Sequence, residues 1–329
     1  MKPILGIDMA KDKFDCCLLL EEQSPAPQQR QLKNQFPNTS RGFKELMRWL
    51  ARAGVEPGQL RAGMEATGLY GEELLGWLFA AGASVSKINP ARISYYAKSR
   101  LARNKTDRLD ALLIAQFCRS EEPRLWRPLS PEQQRLRGLN RLLLARKGQL
   151  ASEGRRAAML PAQLRGHTRV MLRVFAREIQ KLQEQIHALI AATPELARKK
   201  ELLCSIPCVG PVTAQTLLAE LPPDLEDARA AAAYAGLTPR REDSGEKSGR
   251  GRMSKTGNPF LRQAMYMPAV SGRRSNSRLK ECAARLEADG KAKMVIIGAC
   301  MHLLMRLCFG VLQSGQPFQE DRKGRRTAA

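Results

Sequence analysis

Residues 3–20 read PILGIDMAKDKFDCCLLL. Pro3–Met9 is a short apolar run, Phe14–Leu20 is a second with no helical period, and Gln31–Phe36 is a third. Short runs parted by a few polar residues predict an antiparallel meander with tight turns. Outward from these, Ser40 is the expected N-cap of a helix whose face is Phe43, Leu46, Met47 and Leu50, ending near Gly54. A strand at Leu60–Met64, a helix at Tyr70–Ala81, a strand at Ser84–Ile88 and helices at Pro90–Arg103 and Asp107–Cys118 follow.

The expected order is three strands, then helix, strand, helix, strand and two helices. An antiparallel meander continued by alternating helix and strand describes the ribonuclease H type of α/β sheet. That order brings carboxylates from three segments together. Asp8 ends the first strand in GIDMAK, Glu65 ends the fourth in MEATG, and Asp107 and Asp110 open a helix in NKTDRLDA. A spacing of three puts the last two on one helix face. Each acid alone reads as structural; Asp107 could simply favour a helix N-terminus. Gathered, they would repel one another and call for divalent cations. Mg²⁺ suits them, because it prefers oxygen ligands and takes carboxylates together with phosphate oxygens, and two such ions could hold both sides of a phosphodiester. Asp12, Asp15 and Glu72 read as surface charge.

The composition names the partner class. The chain has 329 residues, with 55 Lys and Arg against 32 Asp and Glu, a formal charge of +23. Its 43% hydrophobic content excludes wholesale disorder, and 5% aromatic residues argue against an all-β protein. The charge is clustered: residues 135–181 hold twelve Lys and Arg with two Glu, and 240–280 hold eleven with three acids. Such basic stretches displace the counterions of a phosphate backbone, so nucleic acid is expected. The eight cysteines form neither a disulfide framework nor a zinc pattern. The N-terminal apolar run is too short for a signal peptide. Met294–Leu312 is apolar over nineteen residues but contains His302 and Arg306, so it is expected to be a buried helix rather than a span. A cytoplasmic protein, without membrane, is expected.

Glu121–Glu132, with three prolines, reads as a linker. Leu136, Leu139, Leu143 and Leu150 then space helically up to Pro161. Leu172, Phe175, Ile179, Leu182, Ile186 and Leu189 step by three and four, as coiled-coil seams do. A packed pair of helices within one domain and a dimerisation arm both fit; self-association is expected. His167 and His187 have no neighbouring ligands. Leu202–Leu221 reads equally as a simple αα turn or as a helix-hairpin-helix whose turn amides could hold a phosphate, although Cys208 stands where a second glycine is expected. Residues 239–258 form a Gly- and charge-rich loop before a helix near Asn258–Pro259. Serines there could be ordinary loop residues or nucleophiles toward phosphate, with Arg240, Arg241, Lys247, Arg250, Arg252 and Lys255 as the surrounding nucleic-acid-binding cations. No His is near to make a Ser-His-Asp hydrolase.

GIDMAKDKFD, MEATGLY, INPARISYYAKS, NKTDRLDA, IPCVGPVTA, AYAGLTPRREDSG and SKTGNPFLRQAMY, in that order, resemble the DEDD transposases of the IS110 insertion-sequence family. The resemblance runs from about Leu5 to Gly315. It implies a RuvC-like domain (1–125), a linker with coiled-coil helices (126–198) and a mostly α C-terminal transposase domain (199–329). It also implies a DNA recombinase guided by a structured bridge RNA, acting on donor and target DNA as a dimer or tetramer. Residue by residue, it assigns the metal-binding catalytic acids to Asp8, Glu65, Asp107 and Asp110, and the nucleophilic serine to Ser244, with Ser248 and Ser254 as neighbours. Serine attack would leave a covalent phosphoserine that conserves bond energy for rejoining. Two other readings stay open: a metal-dependent nuclease such as a junction resolvase, using the acids alone, and a non-catalytic nucleic-acid-binding protein.

Overall fold

The computed structural model describes residues 2–21, 29–66, 70–100, 107–240 and 252–320. It divides into two units, Met1–Pro128 and Leu129–Ala329.

The first unit runs β1 (Ile4–Met9), β2 (Lys13–Glu21), β3 (Gln29–Pro37), α1 (Ser40–Arg52), β4 (Arg61–Glu65), α2 (Glu72–Ala80), β5 (Ser84–Ile88), α3 (Pro90–Ser99) and α4 (Asp107–Glu121). The strands lie in the order β3-β2-β1-β4-β5. β1 pairs antiparallel with β2, and β2 with β3. β4 pairs parallel with both β1 and β5. This is the ribonuclease H order expected from the sequence. Both faces of the sheet are covered, as its parallel half requires. Leu5, Ile7 and Met9 of β1 pack with Phe43, Leu46 and Leu50 of α1 and Leu74, Leu75 and Leu78 of α2. On the other face Ile4, Cys17, Leu19 and Ile88 pack with Ile93 of α3 and Ala111, Ile114, Ala115 and Cys118 of α4.

Two local expectations are corrected. The N-cap of α1 is Thr39, not Ser40: its hydroxyl accepts from the Gly42 amide, the geometry a cap needs. Asp15 is not surface charge. It is 4% exposed, and Gln35 Nε2 donates to its two carboxylate oxygens at 3.0 and 2.9 Å.

The second unit is helical: α5 (Pro131–Met159), α6 (Arg165–Ala192), α7 (Pro194–Cys204), α8 (Pro211–Glu220), α9 (Ala228–Tyr234), then the two-residue strands β6 (Pro239–Arg240) and β7 (Arg252–Met253), α10 (Pro259–Ser275), α11 (Ser277–Ala288) and α12 (Lys293–Ser314). Leu136 and Leu143 of α5 and Leu182, Ile186 and Ile190 of α6 share one core with α7 to α12. The heptad-spaced residues of α6 thus face inward along its C-terminal half. α12 is long and apolar enough to cross a membrane, but Cys300, Leu304, Met305 and Cys308 place it at the centre of this core.

Cys208 lies in the turn between α7 and α8 at φ 82°, the left-handed region that favours glycine. Its Sγ would lie 2.6 Å from a Cβ built on Gly272 of α10. The side chain therefore fills the space over a glycine inside the unit, and burial pushes its thiol up to about 11.

Candidate active site

Glycines decide where the acids of the first unit point. A Cβ on Gly6 would lie 2.1 Å from the Ala111 carbonyl oxygen and 2.5 Å from the Ala115 nitrogen. A Cβ on Gly63 would lie 2.1 Å from Cys118 Sγ. Gly6 and Gly63 are register partners on β1 and β4, and the last partnered pair is Ile7 with Met64. Asp8 and Glu65 come one step later, at the C-terminal ends of the two strands. Side chains alternate along a strand, so Asp8 shares the α4 face with Gly6, and Glu65 shares it with Gly63. Parallel neighbours lie about 4.8 Å apart, which makes the two carboxylates adjacent.

α4 arrives at the same end. Arg61, at the start of β4, donates to the Pro123 carbonyl at 2.9 Å, just past the C-terminus of α4. Gly63 lies under Cys118 and Ile114, and Gly6 under Ala115 and Ala111. The helix thus runs back along the sheet and brings its first turn, with Asp110, toward the strand ends that carry Asp8 and Glu65. Asp8, Glu65 and Asp110 are all half-buried. Asp107 opens α4, but its side chain lies outside the described residues. Among the described residues no three His, Cys, Asp or Glu side chains form a group that could hold a metal ion. The donors are hard carboxylate oxygens, which suits a divalent cation such as Mg²⁺. The structure aligns Asp8 with Glu65 by register and brings the first turn of α4, which carries Asp110, to the same end of the sheet.

The sequence reading missed a fifth acid on this face. Asp15 is the register partner of Asp8 on β2 and lies on the same side of the sheet. Its signal was parity: Asp15 alternates with Cys17 and Leu19, which face α4.

In the second unit the structure describes the stem on either side of residues 241–251. Ser244, Ser248, Arg241, Lys247 and Arg250 lie outside the described residues. Arg240 and Arg252 are exposed and directly opposed across β6 and β7. Like charges opposed across a ladder repel. The Ser254 amide donates to the Thr238 carbonyl at 2.9 Å, Lys255 to Gly236 at 3.1 Å and Asn258 to Tyr234 at 2.7 Å. Lys255 is exposed and held at φ 54°. Arg262 of α10 closes the stem, its Nη1 donating to the carbonyls of Ala235 and Lys255 at 3.2 and 3.1 Å.

Beneath the stem lies a buried carboxylate. Glu220, the last residue of α8, is fully buried. Arg141 donates Nε to its Oε1 at 2.7 Å and Nη2 to its Oε2 at 2.8 Å. Arg137 Nε reaches Oε2 at 3.3 Å, and Asn258 Nδ2 donates to Oε2 at 2.8 Å. Burial alone would push this carboxyl up. The hydrogen bonds from Arg141 and Asn258 and the charges of Arg137 and Arg141 together outweigh it and hold the carboxyl below its ordinary value. The sequence held one clue, an acid inside the apolar run LLAEL.

The strand order β3-β2-β1-β4-β5 is that of a ribonuclease H-type sheet. The DEDD transposase model of the IS110 family matches residues 5–169, and the model described as "Transposase IS116/IS110/IS902 family" matches 200–284. The chain is 34% identical to the pilin gene-inverting protein of Moraxella bovis over 97% of its own length and 98% of that relative. It is 34% identical to the pilin gene-inverting protein of Moraxella lacunata over the same shares. The chain belongs to the IS110 family of transposases, enzymes of DNA recombination. Among solved structures, Thermus thermophilus RuvC aligns with 38% of this chain and 99% of its own at 16% identity and a TM-score of 0.27. The same protein with a Holliday junction substrate aligns with the same shares at 0.26. These likenesses are distant, and the fold rests on the strand order above.

Proposed function

We propose that this transposase is an RNA-guided DNA recombinase that cuts and rejoins strands through Ser244, with Asp8, Glu65, Asp107 and Asp110 of a neighbouring protomer holding Mg²⁺ at the same phosphate. The observation that carries it is that both halves of the chain, the acid-bearing unit and the serine-bearing one, belong to one recombinase family over nearly their whole length. Bound there, Mg²⁺ would supply positive charge to the phosphate oxygens. The serine hydroxyl would displace a sugar oxygen from phosphorus; the serine proton would pass to solvent, and the departing sugar oxygen would take one up from solvent as a free hydroxyl. The phosphoserine ester formed would keep the bond energy for the reverse attack by a new strand end. Arg240 and Arg252 at the loop's neck suit the nonbridging oxygens as negative charge builds. The two basic stretches suit the guide RNA and the donor and target DNA, and the ends of α5 and α6 that lie outside the core, with Met159, Val170 and Val174 exposed, suit assembly into a dimer or tetramer.

The test is reconstitution from purified chain, donor and target DNA, Mg²⁺ and the structured transcript of the noncoding DNA beside the reading frame. Exchange should need every component, and EDTA or alanine at any of the four acids should abolish it. Exchange that proceeds equally well without the transcript would remove the guide from the account. Full exchange in EDTA would remove the metal.

A further inference from the structure

We infer that Glu220 is a positioning residue: through Asn258 and Arg141 it sets the orientation of the stem that flanks the serine-bearing segment. The inference rests on the serine reading above. Asn258 is the junction. Its side-chain oxygen accepts from the amides of Phe260 and Leu261 at 2.9 and 3.2 Å, capping α10. Its Nδ2 donates to Glu220, and its own amide donates to Tyr234 at the far side of the stem. One residue, through its side chain and its backbone amide, thus ties the start of α10, the end of α8 and the stem together.

Glu220 is in turn gripped from α5. A bidentate guanidinium fixes the plane of a carboxylate as well as its place. Arg141 is itself held on its other side by the Phe260 ring, whose centroid lies 5.0 Å away, in the first turn of α10. The ring, the guanidinium, the carboxylate and the amide close a circuit α10–α5–α8–α10. Gly257 makes the last bend: it sits at φ 154°, and a Cβ there would lie 2.4 Å from the Tyr234 oxygen. A basic helix expected to lie along nucleic acid and the stem of the nucleophile's loop therefore share one buried anchor. A carboxylate serves better here than an apolar side chain, because only an acceptor with two oxygens can join Arg141 and Asn258 at once.

Asn258→Asp separates this role from simple folding. Aspartate caps a helix as well as asparagine does, so α10 keeps its cap, but the donor toward Glu220 becomes a repelling carboxylate. In the double variant Glu220→Gln/Asn258→Asp the hydrogen bond re-forms with its polarity reversed. The readout is the single-turnover rate of protein–DNA adduct formation at saturating DNA, beside the DNA dissociation constant and the melting temperature. We expect Asn258→Asp to slow the adduct about a hundredfold, the scale of an ångström of misplacement, with the dissociation constant within about twofold. We expect the double variant to recover part of the rate, since the new amide keeps one oxygen for Arg141 while its nitrogen meets the aspartate introduced at 258. An adduct in the wild type with an unslowed Asn258→Asp, or a double variant as slow as Asn258→Asp at equal melting temperature, overturns the inference alone. No adduct from the wild type overturns the serine reading, and the inference with it.

Discussion

Gly6→Ala tests whether the acid face is built by the close approach of α4 to β1. The new Cβ would lie 2.1 Å from the Ala111 oxygen, 2.5 Å from the Ala115 nitrogen and 2.8 Å from the Ala115 Cβ. Two of these are backbone atoms, which cannot swing aside as a side chain would. Bringing the shortest approach out to 3.0 Å, the least that real Cβ atoms show, moves α4 by about 0.9 Å. Overfilling a packed interface typically costs about 1–3 kcal/mol. A displacement near an ångström at a reacting centre can cost about a hundredfold in rate, and here it would carry Asp107 and Asp110 away from Asp8 and Glu65. The assay is strand cleavage at saturating DNA and Mg²⁺, with thermal melting beside it. Gly58→Ala is the control, because a Cβ at Gly58 meets nothing within 4 Å. We expect Gly6→Ala to melt several degrees lower and to cleave about a hundredfold more slowly, with Gly58→Ala unchanged. Cleavage by Gly6→Ala at the wild-type rate would refute the reasoning, since the acids would not then depend on the seating of α4.

Three further outcomes are expected. Glu220→Ala leaves Arg137 and Arg141 without their buried counter-charge and should cost about 3–5 kcal/mol in urea unfolding at pH 7. Because the Glu220 carboxyl is held below its ordinary 4.5 in the folded chain, its contribution is fully present above that value and is lost as pH falls through the folded one. The gap between wild type and Glu220→Ala should thus narrow below about pH 4.5, and a gap constant from pH 7 to 3.5 would contradict this. Cys208→Gly relieves a left-handed backbone, worth about 1–2 kcal/mol, while removing a packed thiol. Stability within about 1 kcal/mol of wild type and unchanged DNA affinity are expected, and a large loss of affinity would put Cys208 on the binding surface. Duplex affinity should fall with salt at a log–log slope of about −0.9 per neutralised phosphate, and a flat response would leave the +23 charge without its partner.

What the sequence made legible was what periodicity controls. The parity of Ile4 through Met9 and the three-four spacing of Phe43, Leu46 and Leu50 carry the sheet and its first helix, and Asp8 and Glu65 fall at strand ends because both strands are short and clearly bounded. Long-range partners have no such period. Asp15 read as surface charge because the amide that satisfies it, on Gln35, belongs to another strand, twenty residues away. Glu220 lies seventy-nine residues from Arg141, so nothing local marks the two as a pair. Thr39 and Ser40 are both good capping residues, and only the turn geometry chooses between them. Ser244 rests on the family motif REDSG rather than on a spacing, since a serine beside a glycine is ordinary in a loop.

The most direct measurement of the central claim is a denaturing gel of the chain reacted with a suicide DNA substrate in Mg²⁺. A phosphoserine ester survives denaturation, so wild type and Ser248→Ala should each give a protein–DNA band. Ser244→Ala, which removes one oxygen and should bind DNA as before, should give none. An adduct from Ser244→Ala would move the nucleophile to another residue. DNA cut by the wild type with no adduct from any sample would contradict the account and make the chain a hydrolytic, metal-dependent nuclease.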